Sequence, residues 1–123
     1  MADYPDIDTA RLADTFKALA QIDSISREEG RLCRELQRRL NDLGFRTMVD
    51  DAGSRANGDS GNLIAHWPGT VGAEPLLLSA HMDTVEPGRG VQVRFHEGVF
   101  SSAGDTILGA DDKSALAIVL EVI

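Results

Sequence analysis

The sequence predicts an α/β domain. Helical and strand-like segments alternate along the chain, and the run Leu76 to Ala80 is apolar enough to be a strand covered on both faces. The composition agrees. The chain has 123 residues, 42% of them hydrophobic and 26% charged, the ordinary balance of one small globular domain. No internal repeat or low-complexity segment interrupts it.

The elements follow in order. Thr9 to Ala20 reads as a helix, with Leu12, Phe16, Leu19 and Ala20 on one face and Asp8 placed to cap its start. Ser26 to Leu43 reads as a second helix. Ser26 and Glu29 have capping-box spacing, Leu32, Cys33, Leu36, Leu40 and Leu43 form the apolar stripe, and Gly44 stops it. Phe45 to Val49 alternates as a strand, Asp50 to Gly61 is a polar loop, and Asn62 to Trp67 is a strand ended by Pro68 and Gly69. Leu76 to Ala80 is the doubly covered strand. Val91 to Phe95 and Val99 to Ser101 flank His96-Glu97-Gly98 as a hairpin. From Lys113 to Ile123 the pattern is apolar nearly all round, as in a buried helix. Such a helix either docks back into the core or belongs to a longer protein.

Charge and cysteine content exclude several functions. With 12 Lys and Arg against 20 Asp and Glu, the net charge is −8, and no cationic cluster suits nucleic acid. The Arg31, Arg34, Arg38 and Arg39 run reads as a solvated helix face. Cys33 is the only cysteine, so no internal disulfide or cysteine-rich zinc module forms. No segment is long and apolar enough to span a bilayer or serve as a signal peptide, and a reducing cytoplasm is the expected compartment.

Two stretches carry the chemistry. In Leu77 to Val85, His81 follows the apolar strand at the end where open α/β sheets place ligands. Asp83, two residues on, lies on the same side of an extended backbone and could fix the imidazole tautomer, leaving the other ring nitrogen for a metal. The plainer alternative is a hydrogen-bonded loop histidine and a turn aspartate. In Ile107 to Lys113, Asp111 and Asp112 precede the last helix. One carboxylate suffices as a cap, and a second brings repulsion that a bridging cation would relieve. His66 and His96 read as packed or solvated, Cys33 as a core residue, and Lys113 as a local charge partner of the aspartates. Gly104 to Asp112 lacks the ending of a phosphate loop.

Taken together, Ala80-His81-Met82-Asp83-Thr84-Val85-Glu86-Pro87-Gly88 and Thr106-Ile107-Leu108-Gly109-Ala110-Asp111-Asp112-Lys113 resemble the peptidase T-like branch of the two-zinc aminopeptidase, aminoacylase and carboxypeptidase family. Ile22-Asp23-Ser24, Gly61-Asn62-Leu63-Ile64 and Trp67-Pro68-Gly69 match that branch as well, so the likeness runs from about Leu12 to the end of the chain. It implies a three-layer helix–sheet–helix catalytic domain with a mixed, mostly parallel sheet, of which residues 1–123 are the N-terminal portion. It implies His81 as a ligand of one zinc, Asp83 orienting His81, Asp111 bridging two zincs, and a cis link between Asp111 and Asp112. Ser114 and Ala115 depart from the small-residue-then-Gly pattern usual after the lysine.

The resemblance further implies a short peptide as substrate, cleaved at its N-terminal residue by a metal-activated water, with no nucleic-acid or membrane partner. The general base, the remaining ligands and the lid or dimerisation domain through which a homodimer would form are expected downstream. This stretch alone is therefore expected to be inactive. A deacylase or carboxypeptidase of the same family, and a non-enzymatic binding relative, are the alternatives.

Overall fold

A computed structural model describes residues 6–123. Its elements are α1 (Thr9–Ala20), α2 (Gly30–Asp42), β1 (Arg46–Val49), the single-turn α3 (Ala52–Arg55), β2 (Leu63–His66), β3 (Val93–His96), β4 (Val99–Ser102) and α4 (Ala110–Val122).

α1 forms where the pattern places it, and the Asp8 carboxylate accepts from the Arg11 N–H at 2.9 Å. Its buried face is Phe16, Leu19 and Ala20. These pack with Leu32 and Leu36 of α2 and Ala117 of α4 into one core, with Met82, Phe100 and Leu108 against its edge. The two ends of the described chain are fastened together. Arg11 donates from Nε and Nη2 to the Glu121 carboxylate at 2.8 and 2.7 Å, and the Asp8 N–H adds a third bond at 3.0 Å. That carboxylate is held below its usual range, chiefly by the Arg11 hydrogen bond.

α2 begins four residues later than the capping-box reading expects. Ser26 does not cap it. Arg27 turns the chain at φ 77°, its N–H bonds the Glu29 side chain, and the Ser26 hydroxyl goes elsewhere. The Gly30 N–H instead donates to Asp59 of the following loop at 2.8 Å. A distant carboxylate thus serves the helix start that a local one was expected to serve.

β1 and β2 pair antiparallel, Arg46 opposite His66 and Val49 opposite Leu63. β3 and β4 form the expected hairpin, Val93 opposite Ser102 and His96 opposite Val99. Its turn residues Glu97 and Gly98 both have positive φ, the conformation that favours a tight hairpin.

The described residues form α/β structure with two small antiparallel sheets, and no mostly parallel sheet is formed among them. Two expectations about burial need correction. Leu76 to Ala80 belongs to no strand, with Leu76 and Leu77 85% and 87% exposed rather than covered on both faces. A strand needs neighbours to bond its backbone and layers to cover its side chains, and the described residues supply neither here. Similarly, α4 is not buried all round. It packs on α1 through one face, while Ile118 and Val122 are exposed.

Candidate functional site

The connection between α1 and α2 positions the site. Ile25 and Thr84 form an isolated parallel bridge, with the Thr84 N–H donating to the Ser24 carbonyl at 2.8 Å and the Ser26 N–H to the Thr84 carbonyl at 3.1 Å. This pins residues 81–84 against the connection between α1 and α2. On the other side, Leu108 and Ala110 pack against the core, and Gly109 turns the chain at φ 79° into α4. Backbone angles at Asp111 and Asp112 are not helical, so regular turns begin at Lys113, where the sequence pattern begins them. The peptide bond between Asp111 and Asp112 is cis, as the resemblance implied.

His81, Asp83 and Asp111 converge. His81 Nδ1 lies 3.0 Å from Asp83 Oδ1 and 3.0 Å from the Asp83 carbonyl, while Nε2 lies 2.9 Å from Asp111 Oδ1, across thirty positions of sequence. Asp112 accepts from the His81 N–H at 3.3 Å. The ring is therefore held between two carboxylates. The Asp111 hydrogen bond, followed by those to Asp83, raises the His81 pKa. A neutral imidazole has one N–H and can serve only one of these carboxylates; a cation at Nε2, proton or metal, serves both.

The donor chemistry fits a metal at that point. Imidazole nitrogen and carboxylate oxygen are ordinary zinc ligands, and their 2.9 Å separation resembles that of two ligands sharing one ion. The Asp111 side chain is 95% exposed, which leaves its other oxygen free toward solvent. Two candidate ligands, His81 and Asp111, face each other, with Asp83 behind His81. Among the described residues no group of three or more His, Cys, Asp or Glu side chains is arranged to hold a metal ion.

Beside this pair lies an open cavity of about 340 Å³, lined by His81, Asp83 and Asp111 together with Val85, Ile107 and Leu108. A larger groove of about 430 Å³ along Arg34, Gln37, Asp50 and Ser54 contains none of the three. His66 and His96 are exposed, and Cys33 is buried on α2, each as its sequence setting suggests.

Lys113 differs from expectation. It is buried, and its ammonium turns away from the adjacent aspartates to donate to the Ile22 carbonyl. Desolvation lowers its pKa to about 8. Ser26 was also misjudged by local pattern: its hydroxyl donates to Asp83 Oδ2 at 2.6 Å. Neither contact has a signal in sequence spacing, because each joins segments far apart in the chain.

No family model matches the chain. A Bacillus subtilis (strain 168) protein described as uncharacterized protein YqjE is 39% identical over 117 residues, covering 95% of this chain and 32% of the relative. Two solved structures superpose with a TM-score of 0.90 over 94% of this chain. The fold is thus that of part of a peptidase domain. The first of these structures is aminopeptidase PepT from Bacillus cereus ATCC 10987, 39% identical; the second is a tripeptidase from Staphylococcus aureus subsp. aureus mu50, 37% identical. The resemblance to the peptidase T-like branch therefore holds in sequence and in three dimensions, and the chain spans about a third of the length of these relatives. No helix among the described residues is long and apolar enough to cross a membrane.

Proposed function

We propose that this chain is the N-terminal part of a zinc-dependent aminopeptidase that removes the first residue of short peptides. The observation that carries the reading is the convergence of His81 and Asp111 to 2.9 Å at the rim of a cavity, with Asp83 on the far side of the ring. Similarity to an aminopeptidase and a tripeptidase supports the substrate class.

In this reading His81 and Asp111 are the residues that would hold the metal, and Asp111, with one oxygen open to solvent, would be shared between the two ions. When bound, the zinc pair supplies Lewis-acid polarisation of the peptide carbonyl and acidifies a water. The chain's own residues do the positioning. Asp83 accepts the Nδ1 proton, fixes the ring's tautomer and leaves Nε2 facing Asp111. Val85, Ile107 and Leu108 offer an apolar wall to the peptide beside that pair. The exposed Leu76 and Leu77 suit a strand at the centre of a three-layer, mostly parallel sheet completed by the rest of the protein. Two ligands fall short of the usual four, so these 123 residues alone bind zinc weakly and hydrolyse nothing.

The test is a tripeptide hydrolysis assay on the protein at its full encoded length, beside the 123-residue chain. Chelator-sensitive release of the N-terminal residue, abolished by His81→Ala, is expected of the former only. Cleavage that survives His81→Ala would overturn the site. Hydrolysis of N-acylated amino acids in place of free tripeptides would turn the reading to a deacylase. Chelator-sensitive hydrolysis by the short chain would refute the ligand count.

A further inference from the structure

The connection between α1 and α2 has no part in the chemistry proposed above, yet it is tied to both segments that carry the site. Ser24 is fully buried and its hydroxyl donates to the Met82 carbonyl at 2.8 Å. The bridge at Ile25 and Thr84 fixes its register, and Lys113, two residues past Asp111, holds the Ile22 carbonyl. The loop therefore contacts both halves of the site: the His81–Thr84 segment and the start of α4.

We propose that Ser26, at the end of this loop, is a positioning residue that sets the Asp83 carboxylate for its bond to His81. Its hydroxyl donates to Asp83 Oδ2 at 2.6 Å while Oδ1 receives His81 Nδ1 at 3.0 Å, so each oxygen of one carboxylate has one partner. The Asp83 side chain is 40% exposed, too open for packing to lock its rotamer. The hydrogen bond does that work instead. The alternative acceptor is close by: the Asp83 carbonyl is also 3.0 Å from Nδ1. If the carboxylate swings into water, the ring keeps a neutral acceptor in place of an anionic one and Nε2 becomes a poorer metal ligand. Ser26 thus selects carboxylate over carbonyl, and its own place is set by the backbone bond from Ser26 N–H to the Thr84 carbonyl.

The inference rests on His81 being a metal ligand, and the experiment separates the two claims. Zn²⁺ is titrated by calorimetry into the metal-free protein at its full encoded length. Ser26→Ala is expected to weaken binding about tenfold, the low end for groups behind a metal ligand, and Ser26→Thr, which keeps the hydroxyl, is expected to bind like the parent. On an Asp83→Asn background, Ser26→Ala is expected to add nothing, because its effect passes through that carboxylate. A merely structural serine would lower the unfolding midpoint and leave zinc affinity and this non-additivity unmoved. If His81→Ala abolishes binding while Ser26→Ala binds like the parent, the role of Ser26 is refuted and the metal site stands. Equal weakening by Ser26→Ala and Ser26→Thr also refutes it. If His81→Ala binds zinc like the parent, the metal site itself is wrong. Should Ser26→Ala not fold, Ser26→Cys, which keeps the size but not the hydroxyl's donor strength, gives the same comparison.

Discussion

Replacing Gly109 by alanine tests whether the turn into α4 sets the site. Gly109 has φ 79°, and an added Cβ would lie 3.4 Å from Thr84 Cγ2, ordinary contact rather than a clash. The cost is therefore conformational. Holding an L-residue in the left-handed region costs about 1–2 kcal/mol. Part of it can be relieved by rotating residues 109–111, which moves Asp111 Oδ1 from its place 2.9 Å from His81 Nε2. Gly98→Ala is the matched control: its φ is 80° and nothing lies within 4 Å of the added atom. Urea unfolding in chelator, extrapolated linearly, is expected to show both variants about 1–2 kcal/mol less stable than the parent. Chelator is needed because bound metal would itself add stability. Zinc titration is expected to show weaker binding for Gly109→Ala only. Parental stability of Gly109→Ala, or an equal loss of zinc affinity in both variants, would refute the argument.

Two further outcomes follow from packing and charge. Glu35 is pulled to about 2, chiefly by its hydrogen bond to Arg38 and then by Arg39. A folded pKa below the unfolded value of 4.5 means stabilisation present above pH 4.5 and lost as the pH falls toward 2. Fully converted, the shift is worth about 3 kcal/mol, and solvent screening around a carboxylate 25% exposed whose chief partner Arg38 is 58% exposed reduces it to about 1 kcal/mol. Glu35→Gln should be less stable than the parent by that amount at pH 7 and indistinguishable from it near pH 2, by thermal melts across the range. Leu32 is fully buried among α1 and α2 side chains, so Leu32→Ala should cost about 3 kcal/mol in denaturant unfolding; a loss below 1 kcal/mol would mean that the core at α2 is not closed.

The local elements were largely legible. Thr9–Ala20 matches its pattern residue for residue, because the Asp8 cap and a stripe at helical spacing act within one or two turns. The hairpin of β3 and β4 was readable for the same reason, its turn being Glu97-Gly98. Leu76 to Ala80 reads as a covered strand but forms none among the described residues, because pairing and burial depend on partners that the run does not itself contain. The capping box failed because Ser26 had a better partner in Asp83 than in its own helix.

Residue types and spacing marked His81, Asp83 and the Asp111-Asp112 pair as candidates beside plainer turn and capping roles, and the motif resemblance selected His81, Asp83 and Asp111 among them. The resemblance implied that His81 and Asp111 meet; only the tertiary structure decided that they do so through Nε2, that Lys113 faces Ile22 rather than its neighbouring aspartates, and that Ser26 reaches Asp83. The division has one cause. Helix periodicity and turn geometry are set by neighbours along the chain, whereas hydrogen bonds between distant segments are set by how the core of α1, α2 and α4 closes, and no local pattern encodes that closure.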